Sequence, residues 1–409
     1  MSAKHLQRMG QVAALGAGLA VSGLGGCAGH GSYTRQGISL AQQKADAMKA
    51  ATEYDMARQA YFAGDLRKAV ERIDRSLAIN PEVASSHVLR GRILLETGEM
   101  DEALDSLHRA EALAPDNEDA QYFLGLTYER LVEREQALEH YQKAADIDQE
   151  DAQYVVAVAE VFIDMGQVDA AEEYILSRRA RFEHNAGVRQ TQGHIALIKN
   201  DNERALEMFS EARLLAPDDT SILEDLARTQ IAVEKYGDAA TSLAKLLQDE
   251  EVRATRRDLC HMYARSLVSV RRYIEARNEY LTLTEGDAGA GDVEAWIGLG
   301  NVAYAIKDSH RHRNAANRVM ALAPEREEGY LLRALWHRRR GENEDAVKWL
   351  DLGSQRAMQV SSTYTLRGVI LNEMGRTGEA RESFEAALRE DPSDTTVAGV
   401  IDGLDASEN

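Results

Sequence analysis

The chain has little of what staples or interrupts a small fold. It holds two cysteines, Cys27 and Cys260, in 409 residues, which excludes a disulfide framework. Prolines number five, Pro81, Pro115, Pro217, Pro324 and Pro392, and none interrupts an apolar periodic segment, so helix interiors are unbroken. No apolar run reaches the roughly 20 residues that a membrane-spanning helix takes; the run at 12–24 falls short of it. Positive charge is in deficit. A net charge of −20 argues against a nucleic-acid partner and against direct docking on an anionic membrane. Signatures of catalysis are missing too: the mature chain has no H-E-x-x-H, no G-x-S-x-G and no Walker-type loop. Acidic pairs such as Glu172 with Glu173 and Asp218 with Asp219 read as solvated helix ends or loops. No enzyme activity and no cofactor are expected.

What is present is one pattern repeated every 34 residues across 50–394. Ten copies start at Ala50, Ala84, Glu118, Ala152, Ala186, Thr220, Arg257, Val293, Glu327 and Ser361. In copy two, Gly91, Gly98, Ala103, Leu107, Ala110 and Pro115 fall at positions 8, 15, 20, 24, 27 and 32. Position 8 is Gly or Ala throughout, and position 20 is Ala in every copy but the eighth, which has His312. Small side chains there let helices approach closely, and a large one would overpack the contact. Copy eight is therefore expected to be loosely packed or specialised. All five prolines sit at position 32, where a helix must stop. The frame slips twice, before Arg257 and before Val293. The second slip contains Gly286, Gly289 and Gly291, read as a hinge or enlarged loop near 285–292.

This spacing resembles the tetratricopeptide repeat family, whose signature places Trp, Leu, Gly, Tyr, Ala, Phe, Ala and Pro at these positions; Trp296, Leu299 and Gly300 open copy eight in that way. The resemblance implies an all-α fold, a right-handed superhelical solenoid of about ten helical hairpins, each burying its apolar face on its neighbours. It also implies that positions 2, 5, 9, 12 and 13 of the first helix line a concave partner-binding groove. Carried onto this chain, the groove residues are Tyr54, Arg58, Tyr61 and Phe62, then Arg92, then Tyr122 and Arg130, with Arg228 and Arg265 further along. Rigid aromatics interleaved with arginine suit a protein or peptide partner, although solenoid tyrosines also pack against the next hairpin.

The first residues, 1–26, carry Lys4 and Arg8, then the apolar run, then Leu24, Gly25 and Gly26 before Cys27. They read as a secretory signal, and the ending resembles the lipobox of bacterial lipoproteins, which implies an acylated, palmitate-bearing Cys27 after cleavage. Residue 28 is alanine and not aspartate, so by that resemblance the anchor is in the outer membrane and the protein faces the periplasm. Residues 27–49 would hold the lipidated cysteine, a flexible tether across 28–37 and the start of the first helix near Ser39. At the other end, 395–409 reads as a cap, with Val397, Val400, Ile401 and Leu404 covering the last hairpin. Cys260, at position 4 of copy seven, reads as a small core residue.

Charge is unevenly distributed: 25 Lys and Arg face 43 Asp and Glu across 27–253, against 21 and 22 across 254–394. Basic residues gather at the turns joining the two helices of each hairpin. Arg271 and Arg272, Arg311 and Arg313, Arg338, Arg339 and Arg340, and Arg376 form an expected basic ridge, because equivalent turns lie side by side. The ridge could dock an acidic surface, or its members could pair with Asp308, Glu342, Glu344 and Asp345. His310, His312 and His337 are the best metal candidates, but the surrounding arginines repel a cation and no metal is expected. The expected function is a membrane-anchored scaffold for protein–protein contacts in envelope assembly, secretion or pilus biogenesis; the alternative is an adaptor for a periplasmic hydrolase or polysaccharide export machinery.

Overall fold

The computed structural model describes residues 32–408, and the side chains of 37–404. Cys27 and the apolar run before it lie outside the described residues. Among those described there are 24 helices and no strand, and none of the helices is long and apolar enough to cross a membrane.

Helices pair into consecutive hairpins. Copies two to ten begin with helices Ala84–Thr97, Glu118–Arg130, Ala152–Asp164, Ala186–Ile198, Thr220–Ala232, Arg257–Ser269, Val293–Ala305, Glu327–Arg339 and Ser361–Glu373. Each starts on the residue at which its copy starts. The second helices run from Leu66–Ile79 in copy one to Thr377–Glu390 in copy ten. Copy one differs: its first helix is the second half of Ser32–Phe62, so the helix begins ahead of Ser39 and takes in Gly37. The chain divides into two compact units between Thr127 and Tyr128, inside the first helix of copy three.

Helix ends follow from local chemistry. The residues before the prolines, Asn80, Ala114, Ala216, Ala323 and Asp391, have φ of −140°, −146°, −129°, −140° and −132°, the extended backbone that a following proline enforces. The turn inside every hairpin has one residue in the left-handed region, always at position 15: Gly64, Gly98, Val132, Gly166, Asn200, Glu234, Arg271, Lys307, Gly341 and Gly375. Aspartate next to it caps the second helix, as Asp65, Asp201 and Asp308 do by accepting from the amides of Lys68, Arg204 and Arg311.

The buried stripe runs through positions 8, 20 and 24. Position 24 holds Ile73, Leu107, Tyr141, Ile175, Phe209, Leu243, Tyr280, Ala316, Leu350 and Phe384, all buried. In three hairpins position 24 fills the space of a position-8 side chain. A Cβ on Gly91, Gly193 or Gly368 would lie 2.5, 2.6 or 2.7 Å from Leu107, Phe209 or Phe384, so none of the three has room for a side chain as its partner stands. Copy eight differs: His312 is large, Ala316 is small, and Leu332 of copy nine fills the gap over Gly300, 2.6 Å from a Cβ there. The copy is specialised and well packed, with His312 only 1% exposed and edge-on to Tyr304 at 5.3 Å.

Both frame slips are occupied by short helices, Glu250–Thr255 and Gly286–Ala290. The glycine-rich stretch is packed, because Gly289 is buried against the backbone of Leu283 and Thr284. The terminal helix Thr395–Glu408 seats Val397 and Leu404 in the cluster of Leu350, Ile370, Leu371 and Phe384, with Ile401 beside them.

Candidate functional site

In the first unit, the aromatic and arginine residues of the first-helix face form one knot. The Arg92 guanidinium lies 4.7 Å from the Tyr61 ring centroid and 5.4 Å from that of Phe123. Its Nε donates to the Tyr61 hydroxyl at 2.8 Å, which in turn donates to Glu96. Burial first, then the Glu96 bond, raises the Tyr61 phenol above its ordinary value. Arg92 thus clamps copy one to copy three. Phe62 stands edge-on to Tyr61 at 5.6 Å and is 63% exposed. Tyr122 meets Phe123 edge-on at 5.3 Å. Tyr54 is half-buried, and that burial raises its phenol; Arg58 pairs with Asp55 at 3.5 Å. Sequence reading left out Glu96, although it stands at lining position 13 of copy two, and missed Phe123, which sits one residue past position 5 of copy three.

In the second unit, the same face is a ladder of charges between consecutive copies. Arg228 reaches Asp258 of the next copy at 3.0 Å, and Arg265 reaches Glu294 at 3.5 Å. His194 does likewise with Asp225 at 2.9 Å. Glu224 accepts from Arg256 at 2.7 Å, and Asp292 accepts from His261 at 2.8 Å. Arg256 beside Asp258 holds that carboxyl down at about 2, while Asp258 and Glu224 raise the guanidinium. Arg228 and Arg265 are therefore engaged within the chain. Arg130 lies exposed at the end of its helix.

Five of the eight ridge cations are neutralised locally: Arg272 by Glu275, Arg311 by Asp308, Arg338 by Glu373, Arg340 by Glu342 and Arg376 by Glu379 and Glu344. Arg272 and Arg376 stand at helix N-caps, where a cation opposes the helix dipole; each folds onto a first-turn glutamate instead. Arg339 covers the Tyr304 ring at 4.0 Å and donates to its carbonyl oxygen at 2.6 Å. Arg313 lies 5.7 Å from the Trp336 centroid, and Arg271 occupies the left-handed turn position, exposed.

His337, Glu342 and Asp345 bring three ligand-type atoms within 4.8 Å of one another. Both carboxylates are already held, by Arg340 at 2.8 Å and Lys348 at 2.9 Å. His310 is exposed and His312 buried, so the two rings serve different environments; burial, then Arg339, pushes His312 down to about 4. Cys260 is buried and its thiol is pushed up to about 11, chiefly by that burial, which leaves it unreactive. A cleft of about 400 Å³ opens where the second helix of copy four ends at Ser177; its Arg178 faces Asp146 at 3.8 Å and Arg181 faces Glu150 at 3.4 Å.

An all-helical array of hairpins at this period defines the class of protein. A tetratricopeptide repeat model matches residues 54–118 and 101–152, and a second one matches 361–394; these stretches are tetratricopeptide repeats, a stacked-hairpin module that binds other proteins. Among curated proteins, the chain is 25% identical over 222 residues to DnaJ homolog subfamily C member 3 of Gallus gallus, covering 49% of this chain and 44% of the relative. It is 24% identical over 286 residues to the CTR9 homolog of Arabidopsis thaliana, covering 63% and 26%. The chain thus spans less than half the length of these relatives. Among solved structures it is similar to PilW, described as a widely conserved type IV pilus biogenesis factor, at TM-score 0.44 and 16% identity, covering 49% of this chain and 94% of that one.

Proposed function

We propose that this chain is a non-catalytic scaffold of a bacterial envelope, anchored through an acylated Cys27 in the outer membrane and gathering other proteins on the periplasmic side for envelope assembly, secretion or pilus biogenesis. The observation that carries the binding role is the first-unit face, where Phe62 stands 63% exposed against Tyr61 of the Arg92 knot. An exposed aromatic ring held rigidly by its neighbours buries area on a partner at little entropic cost. The support for anchoring is the sequence around Leu24, Gly25, Gly26 and Cys27, with Lys4 and Arg8 ahead of it.

Two experiments test the reading. Palmitate labelling of the full chain in a Gram-negative host, with Cys27→Ser as control, is expected to label the native chain only and to place it in outer-membrane fractions. Capture from envelope extracts with the native chain and with Phe62→Ser is expected to yield partners that the variant loses. Equal capture by both removes the first-unit face from the function.

A further inference from the structure

Position 7 of the first helix is arginine in three copies, Arg90, Arg333 and Arg367. In copies two and ten the guanidinium is closed by the same two partners. Its Nε donates to an aspartate of the preceding copy, Asp74 at 2.8 Å and Asp351 at 2.7 Å. One Nη donates to a serine of its own copy, Ser106 or Ser383. Copy nine lacks both. Asn317 stands in the place of the aspartate and meets only an Nη of Arg333, at 3.3 Å. Trp349 stands in the place of the serine, its ring centroid 5.3 Å from the guanidinium. The Arg333 Nε, bonded to carboxylate in the other two copies, is buried without a partner.

More cations surround it. Arg313, Arg333 and Arg340 lie 5.7, 4.9 and 4.7 Å from the centroid of one ring, Trp336. That indole is fixed by its Nε1, which donates to the Ser309 hydroxyl at 2.9 Å and carbonyl at 3.1 Å. Glu342, whose field reaches Arg333, is already bonded to Arg340 and His337. Burial and the neighbouring Arg313 hold Arg333 below the usual guanidinium value, the mark of positive charge gathered without its counter-charge.

We propose that Arg313 and Arg333, mounted on Trp336 and Trp349 beside the Glu342-paired Arg340, receive a carboxylate from a short acidic segment of a partner protein, which supplies the group that Asp74 and Asp351 supply to the equivalent arginines. This rests on the scaffold reading and names the chemistry of one partner. Guanidinium forks bind carboxylates in paired hydrogen bonds, and the indole faces accept apolar side chains beside the acid. A polyanion fits less well. Contiguous phosphates running along this edge would meet Glu344 and Asp345, which sit on the adjoining helix, and the net charge of −20 repels them at longer range. A short segment with few carboxylates spaced by apolar residues carries less charge and meets less of both.

The test is a titration of the full chain with a short fluorescent peptide of alternating aspartate and leucine, its asparagine counterpart, a single-stranded oligonucleotide and inorganic phosphate. Tryptophan fluorescence and peptide anisotropy are the readouts. The aspartate peptide is expected to bind and to change the tryptophan signal. Asn317→Asp restores the partner found in copies two and ten, so it is expected to weaken the peptide about tenfold while keeping or raising Tm. Arg333→Gln should weaken it as well. Unchanged binding to Asn317→Asp, equal binding of the asparagine peptide, a preference for the oligonucleotide or phosphate, or no peptide binding at all would overturn the proposal. Capture from envelope extract separates the two readings. Identical partners on native chain and Asn317→Asp leave the scaffold standing and remove this receptor; no partners on either remove the scaffold, while the titration still decides the carboxylate site.

Discussion

The Phe209 ring occupies the space that a side chain on Gly193 would need, with Cε1 2.6 Å from where a Cβ would lie. Both belong to copy five, and Phe209 has no exposure at all. Gly193→Ala is expected to cost about 1 to 3 kcal/mol through overpacking, read as a lower urea midpoint at constant m. Adding Phe209→Leu should return part of that loss, because leucine at position 24 accompanies alanine at position 8 elsewhere, as Leu243 accompanies Ala227. A double variant no better than the single would contradict this account.

Val132 stands at φ 65° in a turn where half the copies have glycine, and its side chain is 61% exposed. A β-branched residue in the left-handed region is strained by about 1 to 2 kcal/mol, whereas glycine carries a smaller entropic penalty. Val132→Gly should therefore raise stability by roughly 0.5 to 1 kcal/mol. Calorimetry that finds a lower Tm would refute it.

His312 makes stability depend on pH. Its folded pKa is depressed to about 4 from the ordinary 6.5, so the unfolded chain binds the proton first. The stabilising contribution is complete above about pH 6.5, shrinks as pH falls and is gone below about 4. The lost amount is on the order of 3 kcal/mol. Carboxylates such as Asp258, held at about 2, lose their contributions only at lower pH. His312→Phe should flatten the denaturation midpoint between pH 6.5 and 4; a profile that keeps the native slope there assigns the effect elsewhere.

Arg92 and Phe62 should separate structure from binding. Arg92→Leu strips the cation from Tyr61 and Phe123 and leaves the part-buried Tyr61–Glu96 bond unsupported. A loss of about 1 to 2 kcal/mol in the first unit is expected. Phe62→Ser, at an exposed site, should shift stability by less than about 0.5 kcal/mol. Hydrogen exchange confined to residues 32–127 checks the first claim; equal destabilisation by both variants would sink the distinction.

The repeat frame was readable because its signals are local. Small residues at position 8, proline at position 32 and the 34-residue spacing set each helix start, so nine copy starts coincide with helix starts. Other features depend on residues far apart in sequence. Arg228 and Asp258, or Arg338 and Glu373, meet only after neighbouring copies stack, so these pairs were not legible, whereas Arg311 with Asp308 and Arg340 with Glu342, close in sequence, were. The glycine-rich slip read as a hinge, yet Gly289 packs on the backbone of Leu283 and Thr284, a use of glycine that composition does not reveal. The same holds for His312, whose oversize is offset by the small Ala316 one turn away while Leu332 of the next copy fills the space over Gly300.

The left-handed residue in every hairpin turn has one more consequence for how this chain can vary. Glycine, valine, asparagine, glutamate, arginine and lysine all adopt the same backbone there, so hairpin packing dictates the geometry and the side chain merely rides on it. The position behaves as a socket. Its occupant can be exchanged for another charge or polarity at a penalty of about 1 to 2 kcal/mol for a strained φ, allowing the edge of the array to be re-decorated copy by copy while the rods beneath keep their places.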